Sequence, residues 1–144
     1  MDHLEMTGLE LLRAVAAGHS PPSPMATTVP MSFVEVEAGY VKLTARAGGQ
    51  HLNPQGGVHG GFAATVLDSV TGCAVHSTLE AGVGYGTIDL HVKMLRPVPR
   101  DQELLAEARL VHLSRNIATS EGTLKSAEGK LLATATATCF VKRG

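Results

Sequence analysis

The sequence predicts an α+β domain in which one long central helix lies against a mainly antiparallel sheet of five to six strands, with a further helix at the N-terminus. Three observations carry this. Residues 60–78 (GGFAATVLDSVTGCAVHST), rich in small and apolar residues, read as a helix. The segments after it alternate polar and apolar residues with a period of two, the signature of half-buried strands. Finally, 144 residues is near the modal size of one domain, and such a chain buries roughly two-thirds of its unfolded surface in a single core.

Residues 3–18 (HLEMTGLELLRAVAAG) put Leu4, Leu11, Leu12 and Val15 on one side at helical spacing, and the pattern stops near Gly18. Gly8 falls on the same face and weakens the first turns. Next, SPPSPM (20–25) opposes regular structure, because Pro21, Pro22 and Pro24 remove donors and restrict their neighbours. The division that follows is residues 1–24 as helix and linker, and 25–144 as one domain.

Within that domain, MSFVEVEAGYVKLTARA (31–47) gives two alternating runs around Glu37-Ala38-Gly39, a hairpin. Residues 48–60 (GGQHLNPQGGVHG) are rich in turn formers and aperiodic. After the central helix, GTIDLHVKML (86–95) sets Ile88, Leu90, Val92 and Met94 against Thr87, Asp89, His91 and Lys93. ELLAEARLVHLS (103–114) favours helix by propensity. Its neighbours argue for strand: RNIATSEGTL (115–124) leads to a turn at Ser126-Ala127-Glu128-Gly129, and KLLATATATCFV (130–141) alternates Thr134, Thr136 and Thr138 with Ala133, Ala135 and Ala137.

Composition removes several classes of function. The net charge is −1, Lys and Arg are dispersed, and only 3% of residues are aromatic, so neither a basic groove nor stacking platforms for nucleic acid are present. Val, Leu and Ala must fill the core. No window reaches the ~18 apolar residues of a membrane span, and MDHLEMTG has neither the basic head nor the apolar run of a signal peptide, so cytoplasmic placement is expected. Cys73 and Cys139 form no C-x-x-C pair, and His19, His51, His76, His91 and His112 have no ligand-like spacing; no metal site is expected.

Irregular backbone, glycines and polar residues concentrate at the entrance to the central helix, Asn53-Pro54-Gln55-Gly56-Gly57-Val58-His59-Gly60-Gly61. A helix N-terminus offers unpaired N–H groups and a positive dipole end, which could receive an oxyanion or a polarised carbonyl. An ordinary Gly-rich turn explains the composition as well. Neither G-x-G-x-x-G after a strand nor G-K-[ST] is present, so this is not a nucleotide fingerprint. Within the helix, Asp68 stands out between Leu67 and Val70, and an aspartate is costly to bury unpaired. Two readings are open: a polar-face residue beside Thr65, Ser69 and Thr71, or a carboxylate facing a cleft, able to attack an acyl carbon or activate water. His59 is a base, a cap or a loop residue; Asn53 either presents its amide or shapes an Asn-Pro turn. Gly60 and Asp68 lie roughly 12 Å apart along one helix, so both reach one carbonyl only if a second subunit supplies one of them.

With these residues in view, the sequence resembles the PaaI-like branch of the hotdog-fold thioesterases, which includes phenylacetyl-CoA and 4-hydroxybenzoyl-CoA thioesterases of the Arthrobacter type. The similarity runs over about 10–142, and its most specific part is Asn53-x-x-x-Gly57-x-His59-Gly60-Gly61 with Leu67-Asp68, followed by T-I-D-L-H-V-K-M-L-R-P (87–97). The resemblance implies a helix wrapped by the sheet and hydrolysis of an aryl-acetyl, benzoyl or medium-chain acyl-CoA. In it the Gly60 N–H polarises the carbonyl, and Asp68 arrives across a dimer interface as nucleophile or general base. Asn53 and His59 orient water or substrate, and Thr87 positions water. It also implies sheets continuous across two subunits, usually with two such dimers in a tetramer, and CoA as part of the substrate rather than a cofactor. Arg96, Ser114, Arg115 and Asn116 are the candidates for CoA contacts. Gly61, Phe62, Val66 and Leu67 are those for the acyl pocket. A non-catalytic acyl-CoA binding module and a carrier-protein thioesterase are the rival readings; the former needs no competent acid at position 68.

Overall fold

The structure, a computed structural model, describes residues 5–143. His3 and Leu4 of the expected first helix lie outside the described residues. That helix, α1, spans Gly8–Ala16. Its start is fixed by a capping box: the Thr7 hydroxyl accepts from the Glu10 N–H and the Glu10 carboxylate accepts from the Thr7 N–H. Gly8 therefore opens the helix rather than interrupting it. A Cβ at Gly8 would lie 1.7 Å from the His76 carbonyl oxygen, and its N–H donates to Leu79 O at 3.0 Å. Absence of a side chain lets α1 close over the far end of the central helix.

The proline stretch leads into a short helix, α2 (Met25–Thr28), with Pro24 as its N-cap residue. The expectation of no regular structure through Met25 is corrected there: a proline tolerated ahead of the first helical turn loses no intrahelical bond. The hairpin follows as β1 (Met31–Glu37) and β2 (Tyr40–Arg46), then the central helix α3 (Gly60–His76), β3 (Gly84–Met94), β4 (Glu103–Leu113), β5 (Ile117–Lys125) and β6 (Leu131–Lys142). The six strands pair antiparallel throughout, in the order β1-β2-β4-β5-β6-β3.

One face of the sheet receives α3. Val41, Leu43, Leu104, Ala106, Ala108, Leu124, Ala133 and Ala135 pack with Phe62, Ala63, Val66, Leu67, Val70 and Ala74 of the helix. β4 is a strand because Leu104, Ala106 and Ala108 fall on that face; tertiary burial outweighs the helical preference of alanine. Small side chains bring the helix close. Gly122 sits beneath it, where a Cβ would meet Thr71 Cγ2 at 3.1 Å. Thr71 is fully buried there and its hydroxyl donates to Leu67 O at 2.7 Å, so it does not share a polar face with Asp68. β3 forms an edge of the sheet, with Ile88, Met94 and Leu95 more than half exposed. An unpaired edge of that kind is a pairing surface unless something covers it.

Candidate active site

The loop entering α3 is held by its own polar groups. Asn53 Oδ1 accepts from the N–H of Gln55 at 2.9 Å and of Gly57 at 3.2 Å, and the Asn53 N–H donates to Gly57 O at 2.7 Å. The Asn53 carboxamide oxygen is thus committed to the turn, and its NH2 end is the part left to meet a ligand. His51 bridges the Gly48 N–H and Thr28 O, each at 2.9 Å, and its ring lies 5.4 Å from that of Phe62. The loop is anchored at both ends.

His59 is the N-cap of α3, and its Nδ1 accepts the Gly61 N–H at 2.7 Å. With Nδ1 accepting, a neutral imidazole carries its proton on Nε2, the outer nitrogen. The Gly61 donor is consumed. The Gly60 N–H has no hydrogen-bond partner among the described residues, so the first turn presents one backbone donor at the positive end of the helix.

Two turns along, Asp68 is exposed and accepts a hydrogen bond of 2.9 Å from Thr87 Oγ1 of β3. A β-bulge makes this contact possible. Thr87 pairs with Cys139 and Asp89 with Thr138, leaving Ile88 unpaired. Strict alternation would group Thr87 with Asp89, His91 and Lys93. The inserted residue instead turns Thr87 to the helix side, together with Leu90, Val92 and Met94, which pair with the buried Ala137, Ala135 and Ala133. The groove around the carboxylate is lined by Ala64, Thr65, Thr87, Ile88 and Leu90.

Behind it lie both thiols. Thr87 gives its single hydrogen to Asp68, so at the 3.9 Å contact with Cys139 Sγ the thiol is the donor. Burial, reinforced by the Asp68 charge, pushes the Cys73 thiol up to about 12 and raises that of Cys139. Both remain protonated near neutrality and are poor nucleophiles.

The remaining sequence-selected residues divide. Phe62, Val66 and Leu67 are core residues beneath the helix, 4%, 0% and 0% exposed, so the helix surface facing the groove belongs to Ala64 and Thr65 instead. Gly61 is exposed at the entrance. Arg96 lies just past β3, near the Gly60 end, where its guanidinium donates to Leu131 O at 2.9 Å. Ser114, Arg115 and Asn116 form the β4–β5 turn, tied to Ile117 O and Val141 O. That turn stands at the opposite end of α3, the end where Gly39 contacts both Ser77 and Leu110. One chain therefore does not gather the two sets, just as it does not bring Asp68 to Gly60. Sequence reasoning missed Met94, whose thioether lies against Gly60, and the signal for it was only its place in the β3 alternation.

A helix wrapped by an antiparallel sheet, with a free donor at its entrance and a hydroxyl-held carboxylate farther along, belongs to the hotdog class. The family match agrees: residues 55–133, more than half of the chain, match the model of the Thioesterase superfamily. The chain belongs to that superfamily, in its PaaI-like hotdog branch. Among solved structures, a phenylacetic acid degradation-related protein of Ralstonia eutropha JMP134 superposes with a TM-score of 0.82 at 37% identity, covering 90% of this chain and 98% of that one. Human acyl-coenzyme A thioesterase 13 is 26% identical over 72% of this chain and 74% of its own. A candidate esterase of Halobacterium salinarum is 41% identical over 49% of this chain, a match spanning 47% of that protein's length.

Proposed function

We propose that this chain hydrolyses an acyl-CoA thioester to the free acid and CoA, at a site assembled from two subunits. The observation that carries the reading is the pairing of a free Gly60 N–H with an ionisable Asp68 that a hydroxyl holds in place. In the reaction the thioester carbonyl lies at the start of α3, where developing negative charge gains most from a preorganised donor. Asp68 of the facing subunit attacks the carbonyl carbon, expelling the thiolate and leaving a mixed anhydride that water hydrolyses, or it takes a proton from the attacking water. His59 holds the helix entrance open by occupying the neighbouring donor, and with the Asn53 amide it orients water or substrate. Arg96 and the turn of Ser114, Arg115 and Asn116 contact CoA, the two sets coming from different subunits.

Support for the shared site comes from geometry: the eight-residue step from Gly60 to Asp68 spans roughly 12 Å of helix, while the β3 edge pairs with no other strand among the described residues and carries exposed Ile88 and Leu95. Pairing along that edge gives a dimer, and the family resemblance adds a dimer of dimers.

The test is thiol release across a panel of aryl-acetyl, aroyl and medium-chain acyl-CoA esters, with the unsubstituted protein, Asp68→Asn and Asp68→Ala. Turnover should fall by about 100-fold or more in both variants, with unchanged folding. Robust activity in either removes Asp68 from the chemistry. Binding of CoA esters without turnover by the parent protein makes the chain a binding module, and a monomer by light scattering at assay concentration removes the shared site.

A further inference from the structure

We propose that Met94 determines which acyl groups reach the Gly60 donor, and that it selects thioesters with a slender CH2 next to the carbonyl over those with a ring or branch directly on it. The inference rests on the thioesterase reading above. A Cβ added at Gly60 would lie 3.0 Å from Met94 Sδ and 3.1 Å from its Cε, so the thioether packs against the residue that carries the free N–H. Met94 is on the helix side of β3, yet it remains 56% exposed. It is a wall of the opening rather than a piece of the core.

Its surroundings leave this wall to Met94. Gly60 and Gly61 have no side chains, and across the strand pair Met94 faces the small, buried Ala133. Met94 stands beside any carbonyl bonded to the Gly60 N–H, and in this inference the first acyl carbons lie on this thioether side. An alkanoyl or arylacetyl group enters there with a methylene, which slides past a flexible, polarisable side chain. An aroyl or α-branched group brings its bulk directly to the sulfur and must displace it.

The experiment measures kcat/KM for phenylacetyl-CoA and benzoyl-CoA with the parent protein, Met94→Ala, Met94→Thr and Met94→Leu. The parent should favour phenylacetyl-CoA. Met94→Ala should raise the benzoyl-to-phenylacetyl ratio by about tenfold or more, and Met94→Thr, which suits a strand better, should shift it the same way. Met94→Leu, near in volume, should stay close to the parent. Because each ratio is taken within one protein preparation, loss of folded enzyme cancels. Thioester hydrolysis with a ratio unchanged in the small-residue variants, or a parent that prefers benzoyl-CoA, overturns the role of Met94 alone. Absence of hydrolysis on every ester overturns the thioesterase reading and this inference together.

Discussion

Thr87 Oγ1 donates a 2.9 Å hydrogen bond to Asp68 Oδ1, joining the edge strand to the central helix at the one exposed carboxylate of that helix. A hydroxyl in this position fixes the rotamer of the carboxylate and leaves Oδ2 without a hydrogen-bond partner among the described residues. Holding a reacting group in place is a recognised source of rate.

Thr87→Val keeps the shape and removes the donor. Steady-state kinetics should show kcat lowered by about tenfold, the loss of one hydrogen bond to a charged group, with KM little changed, while Thr87→Ser retains most of the rate. Equal kcat in the valine variant would mean that the hydroxyl does not position Asp68.

His76 supplies a pH dependence of stability. Burial lowers its pKa below the ordinary value of 6.5. The unfolded chain therefore binds a proton at higher pH than the folded one, and the contribution is fully present above about 6.5 and is lost progressively as pH falls from there through the lowered folded-state value. Denaturant unfolding at pH 8 and at pH 5.5 should show a smaller drop for His76→Phe, which keeps a ring against Tyr85, than for the parent. Equal drops would remove His76 as the source.

The two thiols should be silent in the folded protein. With Cys73 pushed up to about 12 and Cys139 fully buried, iodoacetamide at pH 8 should add nothing detectable by intact mass, whereas the unfolded chain should gain two adducts. Rapid labelling of native Cys73 would contradict the packing behind Asp68.

By itself the sequence determined the order and type of the main elements, the hairpin around Gly39 and the concentration of donors at residues 53–61, because strand alternation and turn chemistry are local properties. It also determined that Gly60 and Asp68 are too far apart on one helix to share a carbonyl. Only the tertiary structure decided which side of α3 is the core. That helix is apolar or small on nearly every side, so periodicity does not separate the buried Val66 and Leu67 from Ala64 and Thr65 of the groove. The bulge at Ile88 was equally hidden, since an inserted residue leaves the polar-apolar alternation of the sequence intact while reversing the face on which Thr87 lies. The reach of Thr87 to Asp68 is set by that one unpaired residue.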